Sequence, residues 1–509
     1  MKKTIRILLA LLALIMAFTM TAQGESLKND GEIIDGVMEN FLQLTKVPRP
    51  SHHEEKISAF LMGWAREQGL EPVQDQALNV MFEVPATEGY EDYPLGILQG
   101  HMDMVVAVAE GKTFDPLEDP ITPVMDEAAG TLTADGTSLG ADDGIGVAII
   151  MAVTEGKMNH GPLRIIITVD EEDGMTGAFS LDQSWLEGAE YLINLDNETS
   201  NAVLVSTAAG DTVQVSRELT FVEPAGDFAL TVKLSHLKGG HSGVEIDKGR
   251  LNGLVGLASF LQELKAKSVR YELASMKGGT ASNAIPTGAE AVIVIRSEDW
   301  QTTEDAAAAF LAQLKDTYKG IEDEMELTLS PLAETPLVIP EADADNALRY
   351  ITEVIDGVYT WSKDLPGMVE SSSNLGTFSL DENGLTATGL ERSSSPEKEE
   401  EIMDAQKKLA EACGLTFTRT KTADAWPFDP NSRLLEKTKQ VYLEQNGEEI
   451  EVLTLHAGLE CGTFKALNPG LDMISIGPDL SDVHTIKETL YMNSVPRVWR
   501  LLEGILTAK

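Results

Sequence analysis

The stretch Leu95-Gly-Ile-Leu-Gln-Gly-His-Met-Asp-Met-Val105 decides the fold class, because an apolar run in it ends in two metal-ligating residue types. The run predicts a buried strand, and His101 and Asp103 follow at its end. Residues two apart on an extended strand share a face, so these two side chains point the same way. Open α/β sheets bind ligands at the carboxyl ends of their strands. The stretch therefore predicts an α/β sheet with a metal site at this edge.

The pattern around this strand predicts a discontinuous domain with a second domain inserted into it. Strand-like and helical runs alternate from about residue 30 to 208, as a mostly parallel sheet requires. Two successive α+β patterns follow, and the first pattern resumes after them. A chain of 509 residues is too long for one core. We predict an α/β domain with a mixed, mainly parallel sheet at 25–209 and 423–509, and an inserted α+β domain of two similar halves at 210–422.

One helix of the inserted domain has clear sequence signals at both ends. Ser395 stands before Pro396, a pair that predicts an N-terminal cap followed by proline at the first helical position. Gly414 after Cys413 predicts the C-terminal end.

The first 24 residues have the layout of a secretory signal peptide. Three basic residues precede an apolar run at 7–20, and small and polar residues follow it. We expect cleavage after Ala22 or Gly24, with export to the periplasm or the medium and no stable membrane association afterwards. The alternative is an uncleaved membrane anchor, because the run approaches the length of a spanning helix.

Charge and cysteine content limit the functional classes. The formal net charge of -43 argues against nucleic acid and anionic membranes as partners, and is otherwise explained by solubility. Cys413 and Cys461 are the only two cysteines of the sequence, so a disulfide framework does not stabilise the chain. We expect both to be small buried side chains, with a single bridge as the alternative.

Candidate metal ligands lie in five segments at strand ends or in the turns beyond them. The segments are His101-Met-Asp103, Gly140-Ala-Asp142-Asp-Gly, Asp170-Glu171-Glu172-Asp-Gly, Asn194-Leu-Asp196-Asn-Glu198 and Asp482-Val-His484. Each alone has an ordinary explanation as a turn, a helix cap or a solvated surface. Together they indicate a cation, since apolar strands that all end in carboxylates would otherwise bring like charges together.

The ligand types favour zinc, with manganese or cobalt as alternatives, because histidine and carboxylate occur together. One cation needs three or four ligands, and the segments supply more. We therefore predict two cations that share one carboxylate, about 3.5–4 Å apart.

Six motifs resemble those of the aminoacyl-histidine dipeptidases (Xaa-His dipeptidase, peptidase D), in the co-catalytic zinc peptidase clan with aminoacylases and carnosinases. They occur in family order from about residue 40 onward. The motifs are Gln-Gly-His101-Met-Asp103-Met-Val, Ser-Leu-Gly-Ala-Asp142-Asp-Gly-Ile-Gly, Asp-Glu171-Glu172-Asp-Gly-Met-Thr-Gly-Ala, Ile-Asn-Leu-Asp196, Gly-Gly-His241-Ser-Gly and His456-Ala-Gly-Leu-Glu460-Cys-Gly.

The resemblance implies a role for each residue of the discontinuous domain, which would be the catalytic domain. His101 and Asp196 would bind one zinc, Glu172 and His484 the other, and Asp142 both. Asp103 would orient the imidazole of His101 from behind. Glu171 would be the general base that takes a proton from water and passes it to the leaving amine. The peptide bond after Asp142 is often cis in such enzymes.

The resemblance makes the inserted domain a lid that contributes substrate contacts. His241 would polarise the scissile carbonyl and stabilise the oxyanion. Asn283 and Arg392 would hold the substrate backbone and its C-terminal carboxylate. His456 is a further predicted substrate contact, and Glu460 would bind the free α-amino group or be a buried structural acid.

The sequence thus predicts an exported zinc dipeptidase for Xaa-His or broader dipeptides, acting as a monomer or homodimer. Family members are typically cytoplasmic, so the export signal is a departure. Two alternatives stay open at this point. An amidohydrolase of N-acyl amino acids would not need an acid such as Glu460, and a non-catalytic exported protein that binds peptides or metal would not need a base such as Glu171.

Overall fold

The computed structural model describes residues 29–508, and the predicted signal peptide lies outside this range. Eleven α-helices lie within the described residues, short 3₁₀ and π turns aside. They are α1 Asp30–Leu44, α2 Glu55–Glu67, α3 Ala141–Ala152, α4 Thr176–Phe179, α5 Gly253–Ala266, α6 Trp300–Thr317, α7 Glu341–Glu353, α8 Pro396–Ala412, α9 Arg433–Asn446, α10 Glu460–Leu467 and α11 Val495–Thr507.

The same residues form twenty-three strands. The strands are β1 Val73–Gln74, β2 Val80–Val84, β3 Gly96–His101, β4 Pro123–Asp126, β5 Thr131–Ala134, β6 Leu163–Thr168, β7 Tyr191–Asn194, β8 Ala202–Thr207, β9 Ala209–Arg217, β10 Phe228–Ser235, β11 Gly240–His241, β12 Tyr271–Gly278, β13 Ala284–Ile285, β14 Ala289–Ile295, β15 Glu326–Pro331, β16 Gly357–Trp361, β17 Val369–Asp381, β18 Gly384–Ser393, β19 Thr416–Ala423, β20 Glu451–Leu455, β21 Asp472–Ser475, β22 Leu480–Ser481 and β23 Thr489–Tyr491.

Contacts divide the chain into two compact units. Unit 1 comprises 29–205, Asn431–Leu453 and 467–508, and unit 2 comprises Ser206–Pro430 and Thr454–Ala466.

Unit 1 is built on an eight-stranded sheet of order β1-β2-β6-β3-β7-β21-β8-β20. The four central strands β6, β3, β7 and β21 run parallel, and β2 and β8 pair antiparallel on either side of them. Strand β3 is buried along its whole length, as strands covered on both faces are. This confirms the predicted α/β class with a mixed sheet.

Helix α3 packs tightly over the sheet because a glycine of β3 leaves room for an acid. All twelve residues of α3 are buried, which explains its nearly uniform apolar sequence. A Cβ on Gly100 would lie 2.2 Å from the carboxylate of Asp143. Without that Cβ, Asp143 accepts a hydrogen bond from the backbone N–H of His101 at 3.2 Å. The peptide bond between Asp142 and Asp143 is cis.

Unit 2 contains one extended sheet of order β15-β10-β14-β12-β17-β18-β9-β19, with β16 paired to β17. The sheet has two halves, with four strands on the β12 side and five on the β17 side, and they meet where β12 pairs with β17. Helices α5 and α6 belong to the first half in sequence, and α7 and α8 to the second. Ser395 caps α8 by accepting from the N–H of Lys398, with Pro396 at the first position, so the predicted helix start is confirmed.

The boundaries of the units differ from the predicted ones. Unit 2 begins at Ser206 and ends at Pro430, rather than at 210 and 422, and it also includes Thr454–Ala466. That last segment was predicted in the α/β domain. It belongs to unit 2 through main-chain pairing, since the N–H of Ala208 donates to the carbonyls of Leu455 and Ala457.

Two smaller expectations concern membranes and cysteines. Within residues 29–508, no helix has both the length and the apolar character needed to cross a bilayer. Cys413 and Cys461 are both buried, and neither forms a disulfide bond within the described residues.

Candidate active site

Three parallel strands of unit 1 bring candidate ligands to one edge of the sheet. Strand β3 ends in His101, β6 leads into the turn that carries Glu172, and β7 leads into Asp196. Because these strands are adjacent and parallel, their carboxyl ends meet. The first turn of α3 supplies Asp142, and the segment between β22 and β23 supplies His484.

The first ligand group consists of His101, Asp142 and Asp196. The Nε2 atom of His101 lies 3.1 Å from Oδ1 of Asp142 and 3.5 Å from Oδ1 of Asp196. One donor atom from each residue lies within 4.8 Å of the others, an arrangement that can hold a metal ion.

The second group consists of Asp142, Glu172 and His484. The Nε2 atom of His484 lies 3.1 Å from Oδ2 of Asp142 and 2.8 Å from Oε2 of Glu172. Asp142 thus directs one oxygen to each group. His484 is 46% exposed in its side chain, whereas His101 is buried, so this group is the one open to solvent.

The donor set fits a pair of divalent cations. Each group combines one imidazole with two carboxylates, the mixture that zinc accepts, and one carboxylate is common to both. The Oε1 atom of Glu172 is buried with no hydrogen-bond partner within the described part of the chain. A buried acceptor oxygen is costly unless a proton or a cation satisfies it.

Protons balance the buried charge when no cation does. Hydrogen bonds to Asp142 and Glu172 raise the pKa of His484 to about 10. Burial raises the pKa of Asp196 well above its ordinary value. Burial also acts to raise the pKa of Asp142, but hydrogen bonds with His101 and His484 outweigh it and hold this pKa well below its usual range. Cation binding would therefore displace protons from His484 and Asp196.

Asp103 supports both His101 and the turn that carries Glu171. Its Oδ1 lies 3.3 Å from Nδ1 of His101, the ring atom on the side away from Asp142. The same carboxylate accepts from the N–H of Glu171 at 3.1 Å, from the N–H of Glu172 at 3.4 Å, and from the hydroxyl of Ser51 at 2.8 Å. Glu171 itself is half-buried, directly before the second group's Glu172.

A third acidic group, Glu54, Asp103 and Asp170, lies next to this turn. Burial, together with the charge of Asp103, raises the pKa of Glu54 to about 7. Asp170 pairs with His52 at 3.1 Å and accepts from the hydroxyl of Thr176 at 2.5 Å. Because Asp103 and Asp170 have partners within the protein, we do not assign a cation to this group.

Unit 2 brings together His241 and Asn283. Strands β11 and β13 pair so that His241 is opposite Ala284, the neighbour of Asn283. The Nδ1 atom of His241 accepts from the N–H groups of Gly243 and Val244, at 3.1 and 3.3 Å. In a neutral ring the proton is then on Nε2. Burial and the charge of Arg392 lower the pKa of His241, which favours this neutral form.

Arg392, on β18, is a buried cation of unit 2. It is 9% exposed, its Nε has no hydrogen-bond partner, and no carboxylate within residues 29–508 pairs with it. Burial and Arg392 together lower the pKa of His456 to about 3, so this ring is neutral. Ser372 contacts Nε2 of His456 at 2.7 Å, and Glu460 is fully buried at the first position of α10.

Sequence reasoning missed Arg49 and Glu488, which contact the backbone around the ligands. Arg49 donates to the carbonyls of Met102 and Asp103, and Glu488 accepts from backbone N–H groups of the turn before α3. A side chain that binds only main-chain atoms does not create a recognisable motif in the sequence. The only available signal was the presence of Glu488 four residues after His484.

The chain is similar to known proteins in sequence and in structure. The sequence model of peptidase family M20/M25/M40 matches residues 97–508. A protein of Escherichia coli (strain K12), the cytosol non-specific dipeptidase, is 32% identical over 471 residues, which cover 92% of this chain and 96% of that protein. The crystal structure of aminoacylhistidine dipeptidase from Vibrio alginolyticus is 32% identical with a TM-score of 0.87, covering 92% of this chain and 96% of that one.

A more distant structure shares the fold alone. A tripeptidase from Staphylococcus aureus subsp. aureus Mu50 has a TM-score of 0.53 at 14% identity, covering 93% of this chain and 97% of that one.

Proposed function

The chain belongs to the peptidase family M20/M25/M40 and is a hydrolase of peptide bonds, and from this premise we propose that it is a dipeptidase with two divalent cations. Zinc is the proposed metal, with manganese or cobalt as alternatives. The proposal rests above all on Asp142, whose two oxygens face the two ligand groups separately.

The proposed cation ligands are His101, Asp142 and Asp196 for one ion and Asp142, Glu172 and His484 for the other. When bound, the two ions would supply Lewis acidity, which polarises the peptide carbonyl and makes water a better proton donor. Asp103, whose Oδ1 lies 3.3 Å from Nδ1 of His101, would orient the ring so that Nε2 is directed to the first group.

Glu171 is the proposed general base. Its backbone is held by Asp103, which also contacts His101, so one carboxylate fixes the base and a ligand relative to each other. Glu171 would accept a proton from the attacking water and transfer it to the leaving amine. His241 would donate its Nε2 proton to the developing oxyanion, because Nδ1 is already used as an acceptor.

The substrate's carboxylate has a candidate partner in Arg392. A buried guanidinium without a carboxylate is energetically costly, and a bound carboxylate would supply the missing charge. His456 and Asn283 are proposed to assist at the carboxylate and the substrate backbone, and Glu460 to bind the free α-amine. The aminoacylhistidine dipeptidase among the relatives suggests Xaa-His dipeptides as first substrates to examine.

The decisive experiment is dipeptide turnover of the metal-stripped protein before and after addition of zinc, manganese or cobalt. We expect no hydrolysis without metal and recovery with at least one of the three. The same dipeptides with an acetylated N-terminus serve as comparison substrates. If the acetylated dipeptides were hydrolysed faster than the free ones, the protein would be an N-acyl-amino-acid amidohydrolase instead. A protein that binds the metals yet hydrolyses neither set would contradict the proposal.

Replacement of Arg392 by Met is expected to affect only substrates with a free carboxylate. The loss of a charge-assisted contact of about 1.5–3 kcal/mol should lower kcat/KM for a dipeptide roughly 10- to 100-fold. Steady-state kinetics on a dipeptide and on its C-terminal amide would measure this difference. Arg217→Met is the control, because Arg217 belongs to the same unit but pairs with Asp343 at 2.6 Å. Equal losses on both substrates would refute the assignment.

We also propose that the enzyme is exported. The support is the basic, then apolar, then small-residue order of residues 1–24. On expression in a bacterium, we expect the mature protein outside the cytoplasm, with an N-terminus at Gln23 or Glu25. Cell fractionation followed by N-terminal sequencing tests this, and a cytoplasmic protein that retains residues 1–24 would contradict it.

A further inference from the structure

Glu488 binds four consecutive backbone N–H groups. Its Oε2 accepts from Leu139 at 2.7 Å and from Gly140 at 2.9 Å, and its Oε1 accepts from Ala141 at 2.6 Å and from Asp142 at 3.3 Å. The carboxylate is 3% exposed. It therefore occupies the concave row of amides that begins helix α3, the arrangement in which backbone groups bind anions most effectively.

Arg49 binds backbone carbonyls of this turn and of the residues that follow β3. It donates to Met102 at 3.0 Å, to Asp103 at 2.9 Å, and to Gly140. Arg49 is also 3% exposed. The Arg49 guanidinium thus connects the end of β3 to the Leu139–Asp142 turn. The Glu488 carboxylate binds the N–H groups of the same turn.

The residues held in this way are those next to the cation ligands. Met102 and Asp103 follow His101, and the four amides end at Asp142, the carboxylate common to both groups. Glu488 also follows His484 by four residues, so one short segment delivers a ligand of the second group and the anchor of the shared ligand. The side chain of Glu488 contacts none of the proposed ligands' side chains in the described hydrogen bonds.

We infer that Glu488 and Arg49 are positioning residues that fix the backbone of the Leu139–Asp142 turn, and through it set the affinity for the cations, above all at the second group. The inference rests on the proposed two-cation function. Loss of Glu488 would disturb the second group twice, through Asp142 and through the segment of His484, and the first group only through Asp142.

The test is a cobalt titration of the full-length metal-free protein, followed by visible absorption, for wild type and E488Q. In E488Q one acceptor oxygen becomes an NH₂ group, which faces two backbone donors and cannot bind them. We assign the weaker cobalt step to the second group, because its His484 is 46% exposed whereas His101 of the first group is buried. We expect this step to lose about 10- to 100-fold in affinity, the range found when groups behind metal ligands are removed. The stronger step should change less, and the absorption of the fully loaded site should shift.

The matched control is D472N. Asp472 also accepts a backbone N–H, from Leu434 at 2.9 Å, together with the Ser432 hydroxyl, near the start of helix α9 in the same unit. Both variants should lower the Tm of the metal-free protein, but only E488Q should weaken cobalt binding. Equal weakening in the two variants, or wild-type cobalt binding in E488Q, would overturn the inference.

R49K is the second variant, for the case that E488Q does not fold. A lysine keeps the charge but lacks the fork that reaches several carbonyls, so the same weakening of cobalt binding is expected. If neither variant folds, the inference is rejected, because the pair is then required for folding itself. Wild type that binds two cobalt ions without hydrolysing dipeptides would refute the proposed function and leave this inference standing.

Discussion

Glu171→Gln is expected to lower kcat by about 10²–10⁴-fold, the usual contribution of a positioned base, while both cations stay bound. A glutamine has nearly the same size but cannot accept the proton of the attacking water. The backbone contact of Glu171 with Asp103 does not involve the changed atoms, so the ligand turn should keep its shape. Steady-state kinetics and metal analysis on the same preparation measure the two quantities together.

Asp173→Asn is the control for this substitution. Asp173 lies on the same turn, and its side chain is 77% exposed beside His52. It should retain wild-type kcat, which separates loss of the base from loss of negative charge on the turn. If Glu171→Gln kept more than a tenth of the wild-type kcat, Glu171 would not be the base.

Asp142→Ala is expected to prevent tight binding of both cations and to reduce activity about 10³-fold or more, since metal polarisation contributes several kcal/mol to such reactions. The reason is its position in both groups, with Oδ1 toward His101 and Oδ2 toward His484. Metal content after gel filtration, measured by mass spectrometry, gives the number of ions that each variant retains.

Two further substitutions make this result specific. Asp196→Ala removes a ligand of the first group alone, and His484→Ala one of the second alone. Each should retain close to one ion per chain, whereas Asp142→Ala should retain none. Retention of one ion by Asp142→Ala would mean that the carboxylate is not shared.

The sequence predicted the sheet and the ligand-bearing edge well, for a physical reason. Parallel strands buried on both faces need long apolar runs, and their carboxyl ends meet, so the residues after β3, β6 and β7 lie together. The resemblance built on those residues is confirmed by the family match. The start of α8 was predicted equally well, because a cap and a first-turn proline are local sequence signals.

The parts that the sequence did not reveal depend on distant main-chain contacts. Thr454–Ala466 returns to unit 2 through the pairing of Ala208 with Leu455 and Ala457, which depends on backbone atoms that every residue has. The same holds for Glu488, whose partners are four amides about 346–349 positions earlier in the chain. The individual roles of His241, Asn283, Arg392, His456 and Glu460 stay predictions until the kinetic experiments are done.

The position of β21 in the sheet has a consequence for biosynthesis. Residues 472–475 lie between β7 and β8, in the interior of the sheet, and His484 follows only a few positions later. A nascent chain that has not reached this point would leave β7 and β8 with open, unpaired edges. Unit 1 can therefore complete its sheet only after β21 has been synthesised, late in translation, and until then the edges of β7 and β8 are open to pairing with other chains.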